Sequence, residues 1–310
     1  MKIEYKSQPL KQNWDQELPK YWFDNSPLKT HFMNALSLMI PVSELVVIHT
    51  LKETKKHLQD PELKKQINDM LAQESWHTYS HKKYNHWLES IGLPSFEISS
   101  NWLVNLTKSK KRADELLGPA FWLPVIVAGE HTAACFMEYV LERPYLLEQM
   151  HPHFRQAWVW HSLEEIEHKG SSMDMWIDTK EKFNRKKWKL NITHIIQSIR
   201  FHSSVIKYTF TLLNRDNQLW KWRTLKDGMS FFFGSDGVFW KTLGPWFRLF
   251  KTDFHPWNHD TRYLFTQHQK IFEISEFSPE RLKEIEEDFN GCVADIDSMI
   301  EQNNTKVTVI

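Results

Sequence analysis

Cysteine is nearly missing from this chain. Cys135 and Cys292 are the only two in 310 residues, and they stand far apart, which excludes a disulfide framework and a thiolate metal site. A reducing, cytoplasmic setting is expected. An excess of either charge is missing too: 39 Lys and Arg balance 39 Asp and Glu. No net field draws in nucleic acid, no long basic run supplies a local one, and nucleic acid is not expected as a partner. No uninterrupted membrane span is present. The most apolar stretch, MNALSLMIPVSELVVIHTL over 33–51, contains Pro41, Glu44 and His49, so a buried helix is expected rather than a transmembrane segment. The first twenty residues are polar and lack the apolar core of a signal peptide, so the mature protein is expected to begin near Met1.

Glycine is scarce as well, with nine in the chain, and strand-like alternation is rare. What is present is apolar spacing of three and four over long segments, together with 41% hydrophobic and 14% aromatic residues, enough for a substantial core. The class expected is all-α. Four principal helices are predicted before residue 180: 34–57; 61 to before Gly92, with Asp60 as cap and Pro61 at the first helical position; about 121–142; and 152 to about 180, weakened in its middle by Gly170. TKSKKRADE, between the second and third, reads as a solvated helix or loop. Beyond a basic stretch, KEKFNRKKWK, an amphipathic helix is expected over 190–213. An aromatic segment with Gly and Pro then covers 220–265, and an acidic helix covers 279–302. The organisation expected is an N-terminal extension (1–29), a helical bundle (30–180) and a helical, aromatic C-terminal extension packing on it (181–310).

The chemistry concentrates in WHSLEEIEHKG, residues 160–170. On a helix His161, Glu165 and His168 share one face with Phe154, Ala157, Trp158 and Met175, so these titratable groups lie on an apolar stripe. LAQESWHTYSH repeats the pattern: Glu74 and His77 are three apart and His81 follows one turn later, beside Ile67, Met70 and Tyr84. Glu44 aligns with Ile40, Val47, Ile48 and Leu51, and Glu130 with Ile126, Val127, Ala134 and Met137. Each helix therefore directs a carboxylate into the core. Four bare carboxylates there would be costly and mutually repulsive. Two divalent cations offset four negative charges, and neutral imidazoles complete the shell. One Glu from each of two helices and Glu-x-x-His from each of two others is the arrangement of ferritin-like di-iron and di-manganese proteins. The intervals, 30 residues from Glu44 to Glu74 and 35 from Glu130 to Glu165, suit two antiparallel hairpins. The metal-ligand set expected from the spacing is Glu44, Glu74, His77, Glu130, Glu165 and His168, holding two ions. Iron is the leading identity, with manganese or a mixed pair accepting the same donors.

These runs, with PVSELVVIHTL, GEHTAACFMEYVL and FHPWNHD, resemble the ferritin-like di-iron superfamily. More narrowly, they resemble a bacterial family labelled predicted metal-dependent hydrolases, over residues 30–265. His161, one turn before Glu165, gives His-x-x-x-Glu-x-x-His, which is similar to the last ligand helix of p-aminobenzoate N-oxygenase. That resemblance implies His161 as a seventh protein ligand and points to amine oxidation. No resemblance extends beyond those ligand motifs, so that enzyme's substrate does not carry over.

Bland readings stand beside these. Glu44 and Glu130 could be edge carboxylates or pair with a buried Lys or Arg, and His161 could support a ligand rather than be one. His81 and Glu164 read as supporting groups, and His131 as a packing or surface residue. Asp174 and the His255, Pro256, Trp257, His259 cluster read as structural. FFFGSDGVFWKTLGPWFRLF suits packing against the bundle, a lid, a homodimer surface or a membrane-surface patch. The function expected is a di-iron oxygenase or oxidase that uses O2 and an electron donor to oxidise a small organic substrate, in a pocket beside Ala133 and Ala134. Metal-dependent hydrolysis by an activated water is the alternative. A non-catalytic, iron-binding ferritin-like protein is the second.

Overall fold

The computed structural model describes Leu10 and residues 12–117 and 122–268. The expected helix over 279–302 and Cys292 lie outside the described residues. Among those described, the chain is helical with no strand, only an isolated bridge between Phe23 and Met150.

Helix α1 (Pro27–Lys55) begins with proline in its first turn, earlier than apolar spacing predicts. Its first turns bury polar side chains whose partners lie elsewhere in the fold. The Nε2 of His31 lies 3.0 Å from Asp216, and Asn34 Oδ1 accepts from Trp22 Nε1 and Tyr84 OH. Pro41 sits inside this helix and has no N–H to offer the Ser37 carbonyl. Asn85 Nδ2 donates to that carbonyl instead, at 3.0 Å. Helix α1, which contains the 33–51 stretch, is long and apolar enough to cross a membrane, yet most of its apolar length is buried inside the protein. Helix α2 (Pro61–Ser90) is capped by Asp60, which accepts from the Glu62 backbone N–H at 2.9 Å. It ends before Gly92, whose φ of +82° continues no helix.

TKSKKRADE lies in a third helix, α3 (Ser95–Leu117), followed by α4 (Trp122–Leu141) and the single turn of α5 (Pro144–Glu148). The continuous helix expected from 152 to 180 is interrupted: α6 (Pro152–His168) stops and α7 (Ser171–Asp178) restarts after Gly170. Packing requires the glycine there. A Cβ on Gly170 would stand 2.5 Å from both Cδ1 and Nε1 of Trp257, so the indole occupies the space a side chain would need. Helix α8 (Lys187–Arg215) packs between α1 and α4. Helices α9 (Trp222–Phe233) and α10 (Val238–Phe247) lie on α1 and α4 respectively, and α11 (Tyr263–His268) lies against α6.

The core is stratified. One apolar layer takes Leu38 to Val42 from α1, Tyr84 to Leu88 from α2, Met137 to Leu141 from α4, and Phe154 to Ile166 from α6. The other takes Val47 and Leu51, Ile67 and Met70, Leu123 to Val127, and Met173 to Trp176. The order of the layers reverses from α1 to α2 and from α4 to α6–α7, as an antiparallel bundle requires. Between the layers lies a band of buried polar side chains.

Gly170→Ala is expected to destabilise the protein by about 1–3 kcal/mol through overpacking against Trp257. Chemical denaturation measures this. Adding Trp257→Ala should make the glycine substitution nearly neutral; full additivity of the two changes would refute the packing explanation.

Candidate metal centre

The band between the layers holds the seven expected ligands, all buried: Glu44 from α1, Glu74 and His77 from α2, Glu130 from α4, and His161, Glu165 and His168 from α6. They fall into two groups. Glu44, His77, His161 and Glu165 each offer one donor atom, all within 4.8 Å of one another, and Glu74, Glu130 and His168 do the same. In the first group, His77 Nδ1 lies 3.4 Å from Glu44 Oε1 and 3.6 Å from Glu165 Oε1, and His161 Nε2 lies 3.5 Å from the same Glu165 oxygen. In the second, His168 Nε2 is 3.5 Å from Glu74 Oε1 and His168 Nδ1 is 3.4 Å from Glu130 Oε2. Glu74 joins the groups: its Oε1 faces His168, while its Oε2 lies 3.9 Å from His77 Nδ1. A carboxylate so placed can bridge two ions.

The helix spacing explains the convergence. Glu-x-x-His puts two donors on one helix face, and the reversed order of α2 and α6 relative to α1 and α4 brings all of them to one height. Around the donors stand side chains that hold them. Glu164 Oε2 lies 3.0 Å from His77 Nε2, at ion-pair distance on the side of the ring away from the group, while Nδ1 faces Glu44 and Glu165. Thr78 Oγ1 donates to Glu44 Oε2 at 3.1 Å. Ser37 Oγ donates to Asn85 Oδ1 at 2.8 Å and lies 2.9 Å from His81 Nδ1, fixing the ring that packs edge-on to His161. Sequence periodicity marked Glu164 and His81 as neighbours of the site. It gave no sign of Thr78 or Ser37, because a hydroxyl reaching across to another helix leaves no trace in either helix's own pattern.

The electrostatics without ions are unfavourable. Burial pushes the carboxyls of Glu130 and Glu165 up to about 8, and the nearby Glu130 adds to the rise at Glu165. Glu44 and Glu74 are raised well above the ordinary carboxylate range, first by burial and then by their acidic neighbours. Burial likewise holds His77, His161 and His168 below the ordinary histidine value, keeping the imidazoles neutral. None of the four glutamates has a Lys or Arg ion pair among the described residues. Glu74 Oε1, Glu130 Oε2 and both ring nitrogens of His77 and of His168 are buried without a hydrogen-bond partner. Orphaned oxygen and imidazole donors facing one another fit divalent cations.

Glu138, two turns beyond Glu130 on α4, is a built-in contrast. It too is buried, yet it pairs with buried Lys169 at 2.8 Å, and Lys169 also donates to the His259 carbonyl and Thr261 Oγ1. The basic partner considered for Glu130 is thus found at Glu138. A small cleft borders this pair, lined by Ala134, Cys135, His131, Arg248 and Phe254 among others. Ala134 lines it one turn after Glu130, and Lys169 follows His168, but none of the seven donors lines it and neither does Ala133. His131 turns away from the donors, packing on Phe254 with Nε2 3.3 Å from the Trp246 carbonyl. His255 Nε2 lies 3.1 Å from Asp174 Oδ1, outside both donor groups, beside the Trp257 that fills the space at Gly170.

Residues 7–260 match the family described as predicted metal-dependent hydrolase. The chain belongs to that family. No curated protein matches the chain, and no solved structure does either. The family match and the buried Glu/His groups together make this a ferritin-like helical bundle of a metal-dependent family.

The raised carboxyls and lowered imidazoles set opposite trends for the metal-free protein. The raised carboxyls hold protons that the unfolded chain releases above its ordinary value of about 4.5, so they lose stability as pH rises towards 8. The depressed histidines act below about 6.5, where the unfolded chain takes up protons that the folded one refuses. Above 6.5 only the first trend remains. The thermal midpoint of metal-stripped protein should therefore fall between pH 6.5 and 8, and the gain on adding metal should widen; a midpoint flat over that window in stripped protein would count against bare clustered carboxylates. Glu164→Ala should weaken metal binding about 10–100-fold by releasing His77, read by metal titration, whereas Glu164→Gln should retain more of it.

Proposed function

We propose that this protein is a di-metal-dependent hydrolase acting on a small organic substrate. The observation that carries the reading is the pair of buried donor groups without basic partners, in a chain of a family described as metal-dependent hydrolases. Glu44, His77, His161 and Glu165 would hold one ion, and Glu130 and His168 the other, with Glu74 between them. Bound divalent ions supply Lewis acidity and make water acidic enough to serve as a nucleophile near neutral pH. The protein's own part is arrangement. Glu164 keeps the His77 ring oriented, Thr78 directs one Glu44 oxygen, and the two apolar layers keep bulk water from the donors on both sides.

A second reading is supported by the helical origin of the donors. Two Glu-x-x-His motifs and two further glutamates from four helices are the ligand set of di-iron carboxylate proteins, which favours O2-dependent oxidation of a small substrate, such as an amine, by an iron-loaded form with an electron donor. Oxygen separates the two. The metal-loaded protein is expected to cleave members of an ester, amide and phosphoester panel at the same rate with and without O2. Turnover seen only in air, with O2 consumed by reduced iron protein, would replace hydrolysis by oxidation. Glu74→Ala and Glu165→Ala should each lose at least one of two bound ions by metal analysis, with activity falling at least about a hundredfold in either chemistry; retention of both ions in both variants would remove the site.

A further inference from the structure

Helix α8 buries one face, including Leu190, His194, Val205 and Leu212, between α1 and α4. Its opposite face carries Trp188, Ile192, Ile195, Ile199, Ile206 and Phe210, each at least 41% exposed. Their intervals of four, three, four, seven and four place them in one stripe along the helix. A stripe of this width normally faces a core, and here it faces outward. Helices α9 and α10, on the same α1–α4 side of the bundle, add Trp222 at 77% exposure and Trp240 at 55%, and the turn before α9 adds Trp220 at 83%. Of eighteen large apolar side chains exposed among the described residues, fourteen lie between Trp188 and Phe247. Such concentration marks an interaction surface rather than the scatter of an ordinary exterior.

Charge decides what the surface meets. The chain is neutral overall, but residues 181–251 carry fourteen Lys and Arg against four Asp and Glu. The balanced composition hides this segregation, and no single run reveals it, because the cations are interleaved with apolar residues. Lys189, Arg200 and Lys207 each follow a stripe residue by one position, so they line one edge of the stripe, about 100° round the helix. All three are exposed. A second copy would bring this positive face against its own kind, which opposes self-association. An anionic, apolar surface answers both features: tryptophan rings and branched aliphatic chains enter at headgroup depth, and Lys and Arg reach the phosphates.

We propose that the α8–α10 side of the protein docks on anionic phospholipid bilayers, lying on the surface without crossing it. The proposal is independent of which reaction the metal centre performs. The test is flotation of the full-length protein with vesicles of phosphatidylcholine alone and of phosphatidylcholine with phosphatidylglycerol. Binding is expected to the anionic vesicles, weakening as salt is raised. The pair Ile195→Ser and Ile199→Ser should reduce that binding about tenfold or more through lost apolar burial. The triple change Lys189→Glu, Arg200→Glu and Lys207→Glu should reduce it about a hundredfold or more. Unchanged far-UV circular dichroism and metal content would show that these exposed changes leave the fold intact. Equal binding to both vesicle types, or to neither, overturns the proposal. So does a concentration-dependent dimer that Ile195→Ser and Ile199→Ser dissolve while anionic vesicles remain unbound, since a second copy would then cover the face.

Discussion

Four carboxylates share one dry band of this protein, where burial raises the proton affinity of each and acidic neighbours add to the rise at Glu44, Glu74 and Glu165. Glu44, Glu74, Glu130 and Glu165 are buried between two apolar layers with no Lys or Arg pair among the described residues. Left ionised they would repel; left protonated they would give up much of their use. Divalent cations resolve the conflict, because each ion gathers oxygens that could not otherwise stay together. Glu138 and Lys169 show the other solution on the same two helices, an internal ammonium at 2.8 Å. One bundle thus holds a closed ion pair and, two turns away along α4, an open set of donors. The difference between them is what distinguishes structural burial from a site.

The same band disciplines the architecture. A helix sliding by one turn would carry its glutamate about 5.4 Å into an apolar layer, so register along α1, α2, α4 and α6 is tied to the height at which the donors meet. The surrounding hydroxyls and amides serve that register. Asn85 takes up the Ser37 carbonyl that Pro41 leaves unpaired, and Ser37 in turn meets His81 beside the donors. The proline that argues against a membrane span is therefore joined through two side chains to the edge of the metal centre.

The donor grouping was legible because each element of it repeats within a single helix: apolar neighbours at three and four, and Glu-x-x-His twice. The all-α class and the α2 boundaries were legible for similar reasons, through Asp60, Pro61 and Gly92. What escaped depended on distant partners. The early start of α1 rests on His31 and Asn34 finding Asp216, Trp22 and Tyr84. The need for glycine at 170, between α6 and α7, rests on Trp257, nearly ninety positions away, entering the space beside it. Helical periodicity on α8 was visible, but a stripe does not announce whether it faces a core or water. The chemistry was legible only as far as the donors, since carboxylate and imidazole sets of this kind serve both redox and Lewis-acid metals.

Metal centre and outer face share helix α4. One side of that helix sends Glu130 into the donor band, and the adjoining side carries His131, whose Nε2 lies 3.3 Å from the Trp246 carbonyl at the end of α10. Trp246 also stacks on His194 of α8 at 4.4 Å and donates to Ser198 Oγ at 2.8 Å. The helices that present the apolar, basic surface are therefore fastened to the residue next to a donor, and Arg248, one residue past α10, lines the small cleft at Ala134, one turn further along α4. The C-terminal helices thus touch α4 one residue away from a donor, although none of their own side chains joins the donor groups.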